Sequence, residues 1–180
     1  MSRFRKGRSA AVIDASCLIY LWHLDLLQNL VTRYYPIYIP RYVLDEVRRK
    51  GRSKRRVQEL IQRNAFLKIC DVVNEYDAKL LYDRKRNPQA CIDRGEAEAI
   101  IQARERGFLQ VLIDDRKGRR IAEQHSLNCK GVLGLLKDFQ RLGLIQEVGP
   151  LIKEIQKQPF SYWIDEELLR KELEEIGEDF

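Results

Sequence analysis

Apolar residues in this chain gather in short runs without alternation, set between longer segments with helical spacing. Ala10–Ile13, Ile37–Ile39, Leu67–Cys70, Leu109–Ile113 and, more weakly, Asn128–Lys130 read as strands. A strand without polar alternation is covered on both faces, as in a parallel sheet flanked by helices. The helical segments are "LIYLWHLDLLQNLV" after the first strand, "PRYVLDEVRRK" and "SKRRVQELIQRN" after the second, and "NEYDAKLLYDRK" and "DRGEAEAIIQARERG" before the fourth. "RKGRRIAEQHS" and "GVLGLLKDFQRLG" follow. Pro40 suits a first helical turn, Ser53 is an N-cap candidate, and Gly107 and Gly143 are stops. Strands alternating with helices of this length predict βαβ units, an α/β fold with helices on both faces of a parallel sheet of about five strands.

The last stretch differs in charge. Residues 165–180 carry eight acids against Arg170 and Lys171, a net −6 that leaves +12 for the rest of a chain at +6. Leu169, Leu173 and Ile176 form a helical stripe in it, so it reads as a docked helix. The expected organisation is one domain over residues 1–150 and an acidic helical extension over 151–180, packed on the domain or on a partner subunit of a homodimer.

Composition narrows the class. At 180 residues and 44% hydrophobic the chain can bury a core without staples. Cys17, Cys70, Cys91 and Cys129 are scattered without a close pair, which suits small apolar core residues in a reducing cytoplasm rather than a thiolate metal site. His23 and His125 form no zinc pattern. The apolar stretch after Arg3, Arg5, Lys6 and Arg8 is broken by Asp14, Ser16, His23 and Asp25, unlike a signal peptide, and nothing approaches a membrane span. A soluble cytoplasmic protein with no membrane partner is expected.

The candidate chemistry lies in the acids. Asp14 ends the first strand, and Asp114 and Asp115 end the fourth. Glu46, beside Asp45, sits on the helix after the second strand, and Glu96 opens the helix before the fourth. In an open parallel sheet the carboxyl ends of strands on either side of the switch point form the ligand crevice. Carboxylates without His or Cys suit Mg²⁺ or Mn²⁺, which activates water and stabilises a phosphoryl transition state. Each acid also has a purely structural use. Asp14 or Ser16 can cap the first helix, Asp93 and Glu96 fit a capping box, Asp115 can cap the helix at Arg116, and Glu46 can be a solvated helix residue.

Cations flank the same positions. "RRKGRSKRR" supplies Arg48, Arg49, Lys50, Arg52, Lys54, Arg55 and Arg56 directly after the Glu46 helix. Arg116, Lys117, Arg119 and Arg120 follow Asp115. With a pI near 9.2 this favours a nucleic-acid backbone as partner, the alternative being a solvated charged loop. Tyr34, Tyr35, Tyr38 and Tyr42 can stack bases or pack the core.

The segments "VIDAS", "VLDEV", "DRGEAEAIIQARERG" and "VLIDDRKGRRIAEQHSLNCKGVLGLLKDFQRLGLI" together resemble the PIN-domain family. They are especially similar to its bacterial and archaeal branch with a "GEAEAI" helix and a "DD-R-GRR-A" segment, over about Ala10 to Gly149. The resemblance implies a three-layer α/β/α fold and an endoribonuclease using Mg²⁺ or Mn²⁺, in many members the toxin of a toxin–antitoxin module. Carried over by position, it assigns metal binding and catalysis to Asp14, Glu46 (with Asp45 one residue away), Glu96 and Asp115, with Asp114 and Asp93 as further candidates. Ser16 matches a small hydroxyl residue that supports the site. Glu96 stands where the family has an aspartate, and Ile113 where it has a threonine. The implied product ends are a 5′-phosphate and a 3′-hydroxyl. A structure-specific DNA nuclease and a non-catalytic PIN-fold RNA-binding scaffold are the alternatives. A phosphoacceptor receiver domain would pair its acids after the first strand, whereas here the pair follows the fourth.

Overall fold

The computed structural model describes residues 8–49, 54–157, 159–160 and 162–178. In chain order the elements are β1 (Ser9–Ile13), α1 (Ala15–His23), β2 (Tyr34–Pro40), α2 (Arg41–Arg49), α3 (Lys54–Arg63), β3 (Leu67–Cys70), α4 (Glu75–Tyr82) and α5 (Arg94–Glu105). β4 (Gln110–Leu112), α6 (Arg116–Gln124), β5 (Asn128–Lys130), α7 (Val132–Arg141), α8 (Gly149–Gln156) and α9 (Glu166–Glu174) complete them. All five strands are parallel, in the order β3-β2-β1-β4-β5. Successive strand residues point to opposite faces. Ala11, Ile13 and Leu112 therefore join one apolar cluster with Leu18, Val43, Leu135 and Phe139, and Val12, Val111 and Ile113 join the other with Ala97, Ile100 and Ala122. Both faces are covered, which gives the three-layer α/β/α fold that the unalternated strands predict.

The segment after β1 departs from expectation. Its apolar spacing predicts one helix through residue 31, but α1 ends at His23 and a 3-10 turn occupies Leu27–Thr32. Asp25 between them has φ 56°, a left-handed conformation that Asp tolerates better than most residues. The break swings Leu27 and Leu30 into the core. A second departure is Cys91, which is exposed in the loop before α5, while Cys17 is buried and Cys70 and Cys129 are half-buried; all four are thiols. His23 stacks on Phe160 at 4.1 Å and its Nε2 lies 3.5 Å from Glu154.

The C-terminal segment packs on the body. Leu169 and Leu173 are buried in the same cluster as Leu135, Phe139, Ile152 and Ile155. Lys137 of α7 pairs with Glu172 and Glu175. The α8 N-terminus has no side-chain cap of its own. Glu178 supplies one, accepting from the amides of Val148 and Gly149 at 2.6 and 2.7 Å. A carboxylate there also suits the positive end of the helix dipole. Leu173→Ala therefore destabilises the whole fold by roughly 2–3 kcal/mol, as truncation of a buried Leu does, with one cooperative melt. A variant that melts like the wild type would show that the segment is only laid on the surface.

Candidate functional site

The chain passes from β1 to β2 to β3 on one side, then crosses to β4 on the other, so the crevice at the switch point lies between β1 and β4. Register closes it. Ile13 pairs with Leu112, and the Asp14 amide donates to the Leu112 carbonyl at 3.0 Å. Asp14 and Asp114 thus leave the sheet side by side. α5 runs back over the sheet toward β4, which brings its N-terminus to the same edge.

Four helices begin there, and each is capped by a carboxylate. Asp14 accepts from the Cys17 amide of α1 at 2.7 Å. At α5 the capping box forms: the Glu96 amide donates to Asp93 at 2.9 Å, and the Asp93 amide to Glu96 Oε2 at 3.1 Å. Asp115 accepts from the amides of Lys117 and Gly118 of α6 at 2.7 and 3.0 Å. At α7 the N-cap is Gly131, which has no side chain, and Asp114 reaches across to accept from the Val132 amide at 2.8 Å. The structural uses that the sequence offers for Asp14, Asp93, Glu96 and Asp115 are all realised, and a cap partner is no bar to a carboxylate whose other lone pairs face the crevice.

The electrostatics show a shared excess of negative charge. Asp14 is 3% exposed. Burial, reinforced by the charge of Asp114, pushes its carboxyl up to about 7, against hydrogen bonds from Cys17 and the Asp114 amide that lower it. Glu96 rises to about 8, again chiefly from burial, with Asp93, Asp115 and Asp14 adding repulsion. Burial also raises Asp114, opposed by its bond from Val132 and the charge of Arg119. A Cβ on Gly118 would stand 3.3 Å from Glu96 Oε1. The Gly118 amide in turn bonds Asp115, so the two carboxylates approach each other over that glycine. Asp14 thus faces the charge of Asp114, and Glu96 faces that of Asp93 first and of Asp115 after it.

Glu46 reaches the edge of this cluster. A Cβ on Gly95 would lie 2.7 Å from its Oε2 and 3.4 Å from Asp93 Oδ1, so only a glycine lets the α2 carboxylate approach the start of α5. Asp45 instead turns to Arg48, at 2.9 Å. Ser16 lines a cavity of about 330 Å³ with Ile19, Tyr20, Pro159 and Phe160. Of the expected nucleic-acid contacts, Arg49 stacks over Tyr42, with Arg94 on the same ring at 4.4 Å. Arg55 pairs with Glu59, and Arg56 lines a separate cavity beside Trp22 and Gln28. Arg116 and Lys117 are exposed beside Asp115. Arg119 donates to the Asp114 carbonyl at 2.6 Å. Lys50, Arg52 and the Lys54 side chain lie outside the described residues. Tyr34 is buried and Tyr38 stacks on Phe108 at 5.1 Å.

Two tyrosines at the crevice escape sequence reasoning. The Tyr162 hydroxyl lies 3.5 Å from Asp114 Oδ1, and its ring meets Tyr20 edge-on at 5.2 Å. No periodicity signals either, because both act across the fold from distant parts of the chain.

Among the described residues no three His, Cys, Asp or Glu side chains stand close enough together to ligate one ion. The chemistry of the donors nevertheless fits a divalent cation. They are carboxylate oxygens, and for Asp14 and Glu96, which are buried, burial first and neighbouring acids second raise the pKa, a cost that a hard cation would relieve. Among the described residues no helix is long and apolar enough to cross a membrane. No curated protein matches the chain significantly. A family profile described as PIN domain matches residues 10–178. Members of that family are generally nucleases that use divalent metal ions and act on nucleic acids, often in company with antitoxins. With nearly its whole length matched and the five-stranded parallel sheet in place, this chain belongs to the PIN-domain family.

Proposed function

We propose that this protein is a metal-dependent endoribonuclease, with Mg²⁺ or Mn²⁺ held by Asp14, Glu46, Glu96 and Asp115 and assisted by Asp114. The observation that carries the reading is the approach of two buried acids, Asp14 at the end of β1 and Glu96 at the start of α5, to Asp114 and Asp115 after β4. A cation bound there activates water and neutralises charge developing on a phosphoryl group. The chain's own residues set the stage for it. The amides of Cys17, Asp93 and Lys117 hold the carboxylates of Asp14, Glu96 and Asp115 in one orientation. Exposed Arg116 and Lys117 at the start of α6 meet the strand's phosphates, and Arg119 braces Asp114 through its carbonyl.

Incubation of single-stranded RNA and DNA of one sequence with Mg²⁺, Mn²⁺ or EDTA tests this. Metal-dependent internal cleavage of RNA with 5′-phosphate ends is expected. Cleavage of DNA alone would replace the ribonuclease with a DNA nuclease. A second reading, a PIN-fold RNA-binding scaffold without catalysis, is favoured by the use of Asp14, Asp93, Glu96, Asp114 and Asp115 as helix caps; binding without cleavage under all metals would establish it. The role of toxin in a toxin–antitoxin module rests on family membership, and growth arrest on expression, relieved by an adjacent gene product, tests it.

The basic segment adds a second test. Arg49 and Arg55 are exposed and lie on either side of residues 50–53. Their joint replacement by alanine weakens binding to all strands alike. The dependence of log K on log salt flattens by about 0.7 for each phosphate no longer neutralised. An unchanged slope would assign the segment to solubility.

A further inference from the structure

We propose that Trp163 is a stacking platform for one base of the single-stranded substrate beside the acid cluster, a role that rests on the nuclease reading above. Tyr162 anchors this part of the chain. Its amide donates to the Ile155 carbonyl at 2.9 Å, its ring packs on Tyr20, and its hydroxyl faces Asp114. The next side chain is left outside, with Trp163 83% exposed. A tryptophan ordinarily contributes a large buried apolar area, and nothing in the core accounts for an indole held in solvent next to a fixed tyrosine.

The exposed indole stands at the rim of a cavity. It lines this cavity of about 810 Å³ together with Asp114, Asp115, Arg116, Arg119 and Lys130. That volume falls within the range of sites for small ligands, about 300–1,000 Å³. One cavity therefore holds acids suited to a cation, guanidinium and ammonium groups suited to phosphate, and an aromatic face. Such a combination matches a nucleotide, and base–aromatic stacking tolerates any sequence because every base has a π-face. Glu123, Asp165 and Glu172 stand on the same wall, so its acids outnumber its cations, and Arg116, Arg119 and Lys130 meet a strand's phosphates once a cation is held by Asp114 and Asp115. Leu168, partly exposed on the same wall, extends the apolar lip on which the base would rest.

The experiment uses the full chain, which holds only two tryptophans. In the Trp22→Phe protein, Trp163 is the sole indole. Its fluorescence is quenched as an eight-nucleotide oligouridylate is titrated in with Ca²⁺. Trp163→Ala weakens that binding about 10-fold and Trp163→Phe restores most of it, both without change in melting temperature. An abasic strand of equal length binds wild type and Trp163→Ala equally, because only the base is read. Unchanged affinity in Trp163→Ala, or the same weakening on the abasic strand, overturns the proposal. So does a wild-type dimer that Trp163→Ala turns into a monomer in light scattering, which would make the indole a subunit contact. Wild-type cleavage with an unaffected Trp163→Ala leaves the nuclease reading standing, whereas a wild type that neither binds nor cleaves the strand sinks both.

Discussion

Replacement of Asp14 by asparagine lowers metal-dependent cleavage by about 100-fold or more, since an anionic cation ligand is removed, and leaves the protein at least as heat-stable as the wild type. The second half of this result separates a functional from a structural carboxylate. Asp14 caps α1 through Cys17 at 2.7 Å, and an asparagine oxygen keeps that bond. What changes is the charge. Asp14 sits buried against Asp114, so a neutral amide removes repulsion in the metal-free fold. A carboxylate kept only as a cap would show the reverse, with activity retained after the exchange. Cleavage rates with metal, and melting curves of the two proteins under EDTA, decide the matter.

Metal-free protein becomes less stable as pH rises from about 4 to about 8, and Mg²⁺ or Mn²⁺ restores most of the loss at the upper end. The sign follows from linkage. Asp14 near 7 and Glu96 near 8 both stand above their ordinary values of 3.8 and 4.5. Across that window the folded state holds protons that the unfolded state has released, so stability falls with pH. It is fully present below the unfolded pKa and lost as pH passes through the folded one. A tenfold difference in proton affinity between the two states corresponds to about 1.4 kcal/mol, which puts the contribution of Asp14 on the order of 4 kcal/mol. Glu96 adds less than a second full share, because part of its rise is repulsion from Asp14. For a chain of this size the melting temperature should drop by on the order of 10 °C between pH 5 and pH 8.5. A cation competes with the protons, so its stabilising effect grows with pH. Surface carboxylates such as Asp71, held low by Arg41, lose their contribution only at more acidic pH and do not mask the trend. A melting temperature that rises over this interval in EDTA, with no response to either metal, would mean that the helix amides already balance the acids.

Much of this architecture is legible along the chain because it depends on neighbours. The unalternated runs at Val12–Ile13 and Val111–Ile113 record burial on both faces, and the helical spacing between them records the crossovers. The capping box of Asp93 and Glu96 is a three-residue spacing, and the structure forms it as written. Asp14 and Asp115 stand at strand ends, where a parallel sheet opens its crevice. The order and spacing of these short segments also carry the family likeness. None of this needs a contact between distant residues.

Tertiary structure decided what adjacency leaves open. Asp114 and Asp115 are equivalent as sequence, but the β1–β4 register sets Asp114 beside Asp14 and the α6 cap turns Asp115 toward Glu96. Asp45 and Glu46 are likewise adjacent, and the packing of α2 on α5 sends one to Arg48 and the other to Gly95. The break at Asp25 overrides an apolar spacing that reads as one helix, because Leu27 and Leu30 reach the core only after the turn. Tyr162 meets Asp114 from 48 positions away, and Trp163 joins the crevice only because Tyr162 is pinned there. Such pairings leave no periodic trace. They arise from where the sheet and its helices bring remote side chains together, and local sequence carries the propensity to form an element but not the partner against which it packs.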